Sequence, residues 1–303
     1  MNTLTIGSRG SDLALKQTAH VKNLLQEAHP DLDIKVQVIK TKGDLNLDAS
    51  IEDLGGKSAF TSELENQILK NKIDIAVHSL KDLPINLMDG LMYLGSPDRE
   101  DVRDVFISNK WNTINEVPQN GVIATGSIRR KAQLLSLRPD LNIQSLRGNI
   151  DTRIRKLDDS EWDGMIIAAA AMHRLGLKKR ISEYLDVMDF VPAACQGALG
   201  IEVNLNDKKL ISILNGIIHE NVTMCCKTER LFLSKMESGC FSPIGCLARI
   251  NSDGEFMLTG YVASINGKKE LKKTMIGMIE SNERLALDLV DYMVGNGARE
   301  IMS

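Results

Sequence analysis

Three stretches of this chain hold residues able to do chemistry. The first runs from Thr125 to Lys156 and reads TGSIRRKAQLLSLRPDLNIQSLRGNIDTRIRK. It carries eight Lys or Arg against two acids, a local charge of +6 in a chain whose net charge is −3, so the other residues carry −9. Most of the eight are arginine, whose planar fork holds a carboxylate or phosphate through paired hydrogen bonds. On charge alone the stretch reads equally as an anion site or as a solvated helix face with a few salt bridges. The second is Cys240, in SGCFSPIG (238–245). Glycine and proline on either side make a shaped loop, where a thiol can be accessible and activated. Cys225 and Cys226 instead fit the buried face of a helix. The third is Asp82, closing HSLKDLP (78–84) just past an apolar strand, where α/β proteins place site residues. Its plainer reading is a turn-capping aspartate, and that of His78 is a packed strand end. No His/Cys/Asp grouping suggests a metal. Neither GxxxxGK[ST] nor GxGxxG occurs, and GGKS (55–58) lacks the first half of a phosphate loop.

These residues need elements to position them. Thr3–Ser8 alternates as a strand, and Ser11 caps an amphipathic helix running to about His29. Ile34–Thr41 reads as a strand, Lys42–Lys57 as a long mobile loop, Thr61–Lys70 as a helix and Ile73–His78 as a buried strand. A turn at Ser79–Pro84 and a short strand at Leu91–Gly95 follow. A second α/β set has strands at Val105–Ser108, Val122–Thr125, Asn142–Ser145 and Gly164–Ala168, with helices starting near Ser127, Asn149 and Ala169. Pro192–Gly200 is small-residue and reads as a flexible connector. The segment 202–218 includes a short helix, and Glu220–Glu237 is a longer one with apolar residues at helical spacing. Strands near Leu247–Asn251, Glu255–Ser264 and Glu270–Ile276 form a meander, and Asn282–Val294 is a last helix. Alternating strands and helices predict parallel, doubly wound sheets with ligand at the strand C-termini. IGSRGS (6–11) and ATGSIRR (124–130) each leave a strand, pass Gly and Ser, and enter a helix with Arg nearby. Serine is simply a good N-cap, but two such turns in successive lobes favour lobes that share an anionic ligand.

The totals set bounds. A chain of 303 residues predicts two or three domains, and 43% hydrophobic with 25% charged residues is ordinary for a soluble globular protein. The longest apolar run, Met165–Met172, is far short of a membrane span. MNTLTIGSRG has no apolar signal segment, which predicts a cytoplasmic protein without a membrane partner. Five cysteines without a CxxC pair point to free thiols rather than a zinc ribbon. A pI of about 6.0 and 4% aromatics argue against a nucleic-acid partner.

Taken together, RGSDLAL (9–15), GGKSAF (55–60), AVHSLKDLP (76–84), REDVRD (99–104), TGSIRR (125–130), SLRGNIDTR (145–153), RLGL (174–177), QGALGIE (196–202) and SGC-x-x-PIG (238–245) resemble the porphobilinogen deaminase family, in order, from about residue 4 to 300. The resemblance implies an α/β fold with two type II periplasmic-binding-protein-like lobes plus a small C-terminal α/β domain. The implied borders are 1–97 with 198–216 for the first lobe, 103–192 for the second, and 220–303 for the domain carrying the cofactor cysteine. It implies hydroxymethylbilane synthase activity: four porphobilinogen molecules join head to tail, each releasing ammonia, to give a linear tetrapyrrole. The product grows on a dipyrromethane cofactor held by a thioether, here to Cys240. The implied protein is a cytoplasmic monomer. The alternative class is a cytosolic two-lobed solute-binding module for a carboxylate.

By the same resemblance Asp82 is the catalytic aspartate, with Lys81 beside it. Loss of ammonia leaves a cationic methylene-pyrrolenine, and C–C bond formation leaves a protonated pyrrole; a fixed carboxylate near the pyrrole N–H groups stabilises both. Each porphobilinogen brings an acetate and a propionate. Arg9, Ser11, Ser79, Ser127, Arg129, Arg130, Arg147, Arg153, Arg174 and Gln196 would hold such groups of cofactor and substrate, and Lys57 and Phe60 belong to a loop or lid. Three positions depart from the family pattern: Ser238-Gly239 replaces Gly-Gly before the cysteine, Phe241 follows it, and Cys195 stands where glycine is frequent before Gln-Gly.

Overall fold

The computed structural model describes residues 2–45, 59–236 and 242–302. In chain order the elements are β1 (Thr3–Ser8), α1 (Asp12–Ala28), β2 (Asp33–Val38), α2 (Lys42–Leu45), α3 (Ser62–Leu69), β3 (Ile75–Ser79), β4 (Leu91–Gly95), β5 (Asp104–Ile107), β6 (Val122–Thr125), α4 (Ile128–Leu137), β7 (Asn142–Ser145), α5 (Ile150–Asp158), β8 (Gly164–Ala168) and α6 (Ala169–Arg174). They continue with β9 (Glu183–Tyr184), β10 (Leu199–Asn204), α7 (Lys208–Leu214), α8 (Glu220–Lys235), β11 (Ile244–Ile250), β12 (Phe256–Ala263), β13 (Glu270–Gly277), α9 (Asn282–Gly295) and α10 (Ala298–Met302). The chain divides into two compact units, Met1–Glu100 with Ala198–Thr223, and Asp101–Gly197 with Met224–Ser303.

The first unit is built on a sheet of order β2-β1-β3-β10-β4. β1 runs parallel to β2 and β3, while β10 is antiparallel to both β3 and β4. β3 is apolar from Ile75 to Val77 and buried throughout those residues, as a strand covered on both faces must be. Ser11 caps α1 through its hydroxyl, which accepts from the Ala14 N–H at 3.4 Å. Ala14, Gln17, Thr18, Val21 and Leu25 then recur at helical spacing on the face turned to the sheet. Val21 and Leu25 join Leu4, Ile6, Ile75, Val77 and Ile201 in one core. Each fully buried aliphatic side chain of this kind contributes roughly 1.5–3 kcal/mol.

The second unit repeats the plan. Its sheet runs β7-β6-β8-β5-β9, with β6 parallel to β7 and β8, and β5 antiparallel to β8 and β9. The same unit holds an antiparallel three-stranded sheet, β11-β12-β13, covered by α9. Ala132 of α4 packs with Val191, Tyr261 and Ala263, joining this sheet to the five-stranded one within the unit.

The α/β class, two lobes and small C-terminal α/β part agree with the expectation. Four local readings change. The sheets are mixed rather than parallel, because one strand in each runs opposite to the rest, the late β10 in the first and the early β5 in the second. Lys42–Leu45 is a helical turn, not loop, and the rest of the expected loop lies outside the described residues. The Pro192–Gly200 segment is not a flexible connector: Cys195 is almost wholly buried, Gln196 is 0% exposed, hydrogen bonds hold both, and its last two residues already belong to β10. β10 starts inside it, at Leu199, where sequence reading saw no strand.

Candidate functional site

In the first unit the candidate residues sit at the C-terminal ends of the neighbouring parallel strands β1 and β3. Ser8 ends β1; its hydroxyl accepts from Thr18 Oγ1 at 2.8 Å and is fully buried. Gly7 leaves little room, since an added Cβ would meet Ile73 Cδ1 at 2.3 Å and Leu64 Cδ2 at 2.9 Å unless those side chains shifted. That anchored strand end delivers Arg9, whose guanidinium lies 4.5 Å from the ring centroid of Phe60, and then Ser11 at the start of α1. A cation on a ring face at this distance contributes roughly 0.5–1 kcal/mol when exposed. Beside it β3 ends in Ser79, whose Oγ accepts from Gln17 Nε2 at 2.8 Å. A single 3-10 turn, Leu80–Asp82, follows. Leu80 is buried, its N–H donates to the Ala198 carbonyl, and Leu83 N–H donates back to the Leu80 carbonyl. Lys81 is half-buried and Asp82 is exposed. The turn thus has a fixed base and a presented carboxylate.

In the second unit the Gly-Ser turn after β6 is the counterpart of the one after β1, since both strands occupy the second place in their sheets. Gly126 passes so close to the next turn that a Cβ there would meet the Leu146 carbonyl oxygen at 2.4 Å. Ser127 caps α4 by accepting from the Arg130 N–H at 3.4 Å. Asn149 caps α5 by accepting from the Thr152 N–H at 2.9 Å. Between β7 and α5, Gly148 takes φ +112, a left-handed value that a side chain would strain. Its carbonyl accepts from Arg153 Nε at 2.8 Å, and Arg147 beside it is exposed. Arg174, ending α6, donates to the Gly197 carbonyl at 2.6 Å.

Arg129 and Arg130 are 4% and 5% exposed, and both grip Asp104. Arg129 NH2 donates to Asp104 Oδ2 at 2.8 Å and its NH1 to the Val191 carbonyl at 2.6 Å; Arg130 Nε donates to Asp104 Oδ1 at 2.9 Å. Gln196 Nε2 donates to the same Oδ1 at 2.9 Å and to the Val102 carbonyl at 2.9 Å. Burial alone would raise the Asp104 pKa; the two guanidinium groups and the Gln196 amide outweigh it and hold the group at about 2. Burial pulls the Arg129 pKa down. Two cations against one carboxylate leave the cluster with one positive charge in excess, and Arg129 Nε is buried without a hydrogen-bond partner among the described residues. Arg138, also in the basic stretch, is paired with Asp140 at 2.7 Å. The basic stretch is therefore in part internal pairing, which charge alone did not reveal.

A family model described as "Porphobilinogen deaminase, dipyromethane cofactor binding domain" matches residues 4–212, and one described as "Porphobilinogen deaminase, C-terminal domain" matches residues 223–295. The chain belongs to the porphobilinogen deaminase family. The porphobilinogen deaminase of Chloroherpeton thalassium is 41% identical over 303 residues, covering 99% of this chain and 96% of the relative. That of Nitratidesulfovibrio vulgaris is 40% identical over 307 residues, covering 100% and 97%. Among solved structures, the methionine-binding protein MetQ aligns over 72% of this chain and 89% of its own, at 15% identity and a TM-score of 0.45.

Of the residues that resemblance to porphobilinogen deaminases singles out, Arg9, Ser11, Phe60, Ser79, Lys81 and Asp82 lie in the first unit, and Arg9, Ser11, Ser79, Lys81 and Asp82 follow one sheet edge. Ser127, Arg129, Arg130, Arg147, Arg153, Arg174 and Gln196 lie in the second, around the C-terminal ends of β6, β7 and β8 and the 191–198 segment. Cys240 and Lys57 lie outside the described residues. Sequence reading missed four buried carboxylates, Asp104 of the cluster above among them. Glu65 and Glu202 accompany His78 beneath β3, and Glu229 of α8 accepts from the N–H of Cys195 at 2.5 Å and of Ala248 at 2.6 Å. An acid inside an apolar run, as in LGIEVN (199–204), was the available signal for Glu202.

Proposed function

We propose that this protein is a hydroxymethylbilane synthase: it condenses four porphobilinogen molecules head to tail, releases ammonia at each addition, and yields the linear tetrapyrrole of porphyrin biosynthesis. The observation that carries this reading is membership of the porphobilinogen deaminase family over nearly the whole chain, with relatives matched along nearly all of their own length. No observation favours the solute-binding alternative.

The second unit's donor set fits a polycarboxylate cofactor: the Arg129–Arg130–Asp104 cluster has one cation in excess and, among the described residues, an unsatisfied buried N–H at Arg129 Nε. In this reading Ser127, Arg129, Arg130, Arg147, Arg153 and Arg174 hold the acetate and propionate groups of the dipyrromethane, and the Cys240 sulfur carries it as a thioether. The bound cofactor supplies the terminal pyrrole carbon to which the first substrate is joined. Charge-assisted hydrogen bonds of this kind contribute roughly 1.5–3 kcal/mol each. Arg9, Ser11 and Lys81 bind substrate carboxylates at the β1 and β3 ends. Asp82 accepts from the pyrrole N–H and offsets positive charge as the amino group departs as ammonia; it then manages the proton lost when the pyrrole regains aromaticity. Its turn is pinned by Leu80, so the carboxylate has little reorganisation to undergo. In this reading Phe60, stacked on Arg9, and Lys57 serve as loop or lid residues. The division into 1–97 with 198–216, 103–192 and 220–303, a cytoplasmic location and a monomeric state complete the proposal. Among the described residues no helix is long and apolar enough to cross a membrane.

Two measurements test it. Purified protein should consume porphobilinogen and release ammonia. Its intact mass should exceed the sequence mass by one dipyrromethane, and Cys240→Ala should lack the addition. An unmodified mass together with no porphobilinogen consumption overturns the reading.

A further inference from the structure

A second group of titratable side chains lies beneath the Asp82 turn, and the mechanism above does not use it. His78 is the residue before Ser79 in β3 and is 6% exposed. Its Nε2 lies 2.9 Å from Glu202 Oε2 on the adjacent strand β10, and Glu202 is 0% exposed. In that register Gly200 faces His78 and Glu202 faces Ala76, so the pair crosses the seam between the strands. α3 packs on both β3 and β10 and brings in Glu65, 3% exposed. Buried side-chain atoms without a hydrogen-bond partner among the described residues are few. They include Glu202 Oε1 and Glu65 Oε1.

Two unsatisfied carboxyl oxygens in one buried neighbourhood are costly if both groups are ionised, because each loses its hydration and each repels the other. One proton between them removes both penalties: a neutral acid donates, and its neighbour accepts. We propose that Glu65 is held as a neutral carboxylic acid that shares its proton with Glu202, and that Glu65, Glu202 and His78 together are positioning residues for the turn that presents Asp82. The direction of the Glu65 pKa agrees: burial raises it first and the Glu202 charge raises it further, outweighing the Thr61 hydrogen bond and His78, which lower it. The titratable groups facing Glu65 are Glu202 of β10 and His78 of β3. Glu202 then holds His78 by its other oxygen, and His78 fixes the last strand residue before Ser79. The Leu80 N–H to Ala198 carbonyl bond ties the same two chain segments one step further on. The positioning part of this inference rests on the catalytic reading of Asp82; the proton assignment does not.

Infrared spectroscopy of the whole protein at neutral pH tests the assignment without any activity. A buried, protonated carboxyl band is expected in the wild type and in Asp82→Asn, and its loss in Glu65→Gln. No band in the wild type, or the same band in Glu65→Gln, overturns the assignment. Steady-state kinetics with porphobilinogen test positioning. Glu202→Gln should lower kcat at least tenfold with KM changed less than threefold, and Glu65→Gln should remove the alkaline limb of the kcat–pH profile that arises when the shared proton is lost. A kcat within twofold of wild type in Glu202→Gln, or an alkaline limb unmoved in Glu65→Gln, overturns it. Should the wild type show the band yet consume no porphobilinogen, the functional reading fails while the shared proton stands.

Discussion

Arg129 NH2 and Asp104 Oδ2 sit 2.8 Å apart, with the side chains of both residues almost fully removed from solvent. Arg130 takes the other oxygen, so one carboxylate neutralises half of a double cation at the head of α4. Removing one partner of such a buried group leaves the remaining charge without compensation, at a cost of about 3–5 kcal/mol. Asp104→Asn should therefore lower stability by about that amount in denaturant titration. A variant as stable as the wild type would show that the guanidinium groups find other acceptors.

Acid should expose the same interaction. The folded-state pKa of Asp104, about 2, lies below its ordinary value of 3.8. Depression of a carboxylate pKa on folding adds stability that is fully present above 3.8 and lost as pH falls through the folded value. The shift corresponds to about 2–3 kcal/mol. The stability gap between wild type and Asp104→Asn should narrow as pH falls from 4 towards 2. A gap constant over that window would contradict the assignment.

Cys195 has φ 63 although it is not glycine, and it is 1% exposed. The left-handed backbone costs an ordinary residue about 1 kcal/mol or more, and a β-branched one more still. Glycine would remove that strain but forfeit the small buried side chain and gain freedom in the unfolded chain. Cys195→Gly should then change stability by no more than about 1 kcal/mol, whereas Cys195→Val should lose at least about 2 kcal/mol. Thermal melts of the two variants decide; equal melting temperatures would mean that strain is not what limits this position.

Asp82 is exposed on a turn whose base is buried, so its side chain matters little to folding. Asp82→Asn should melt like the wild type while turnover of porphobilinogen falls by about 10²–10⁴-fold, the usual range for a positioned acid–base group. Turnover near the wild-type rate would remove Asp82 from the chemistry.

Much of this was legible in the sequence. β4, β6, β7 and β8 fall on the residues that alternation and flanking turns mark out, and the caps Ser11, Ser127 and Asn149 announce their helices because a side-chain oxygen before an amphipathic run has one evident task. The motif residues around Asp82 were legible as a strand followed by a turn. What stayed hidden depends on partners distant in sequence. β10 reads as an extension of a small-residue connector, because only β3 and β4 on either side make it a strand. Charge counting could not tell Arg129 and Arg130, buried against Asp104, from exposed Arg147. Glu65, Glu202 and Glu229 look like surface acids until the sheet brings them inside.

The place of β10 between β3 and β4 bears on how the chain is made. During synthesis, β1 to β4 leave the ribosome while the strand that must separate two of them is still untranslated, about a hundred residues away. The amino-terminal sheet can finish only after the whole of the 101–197 segment has emerged. Until then β3 and β4 have an open seam, and their closing is the late event of biogenesis on which the placement of Asp82 waits.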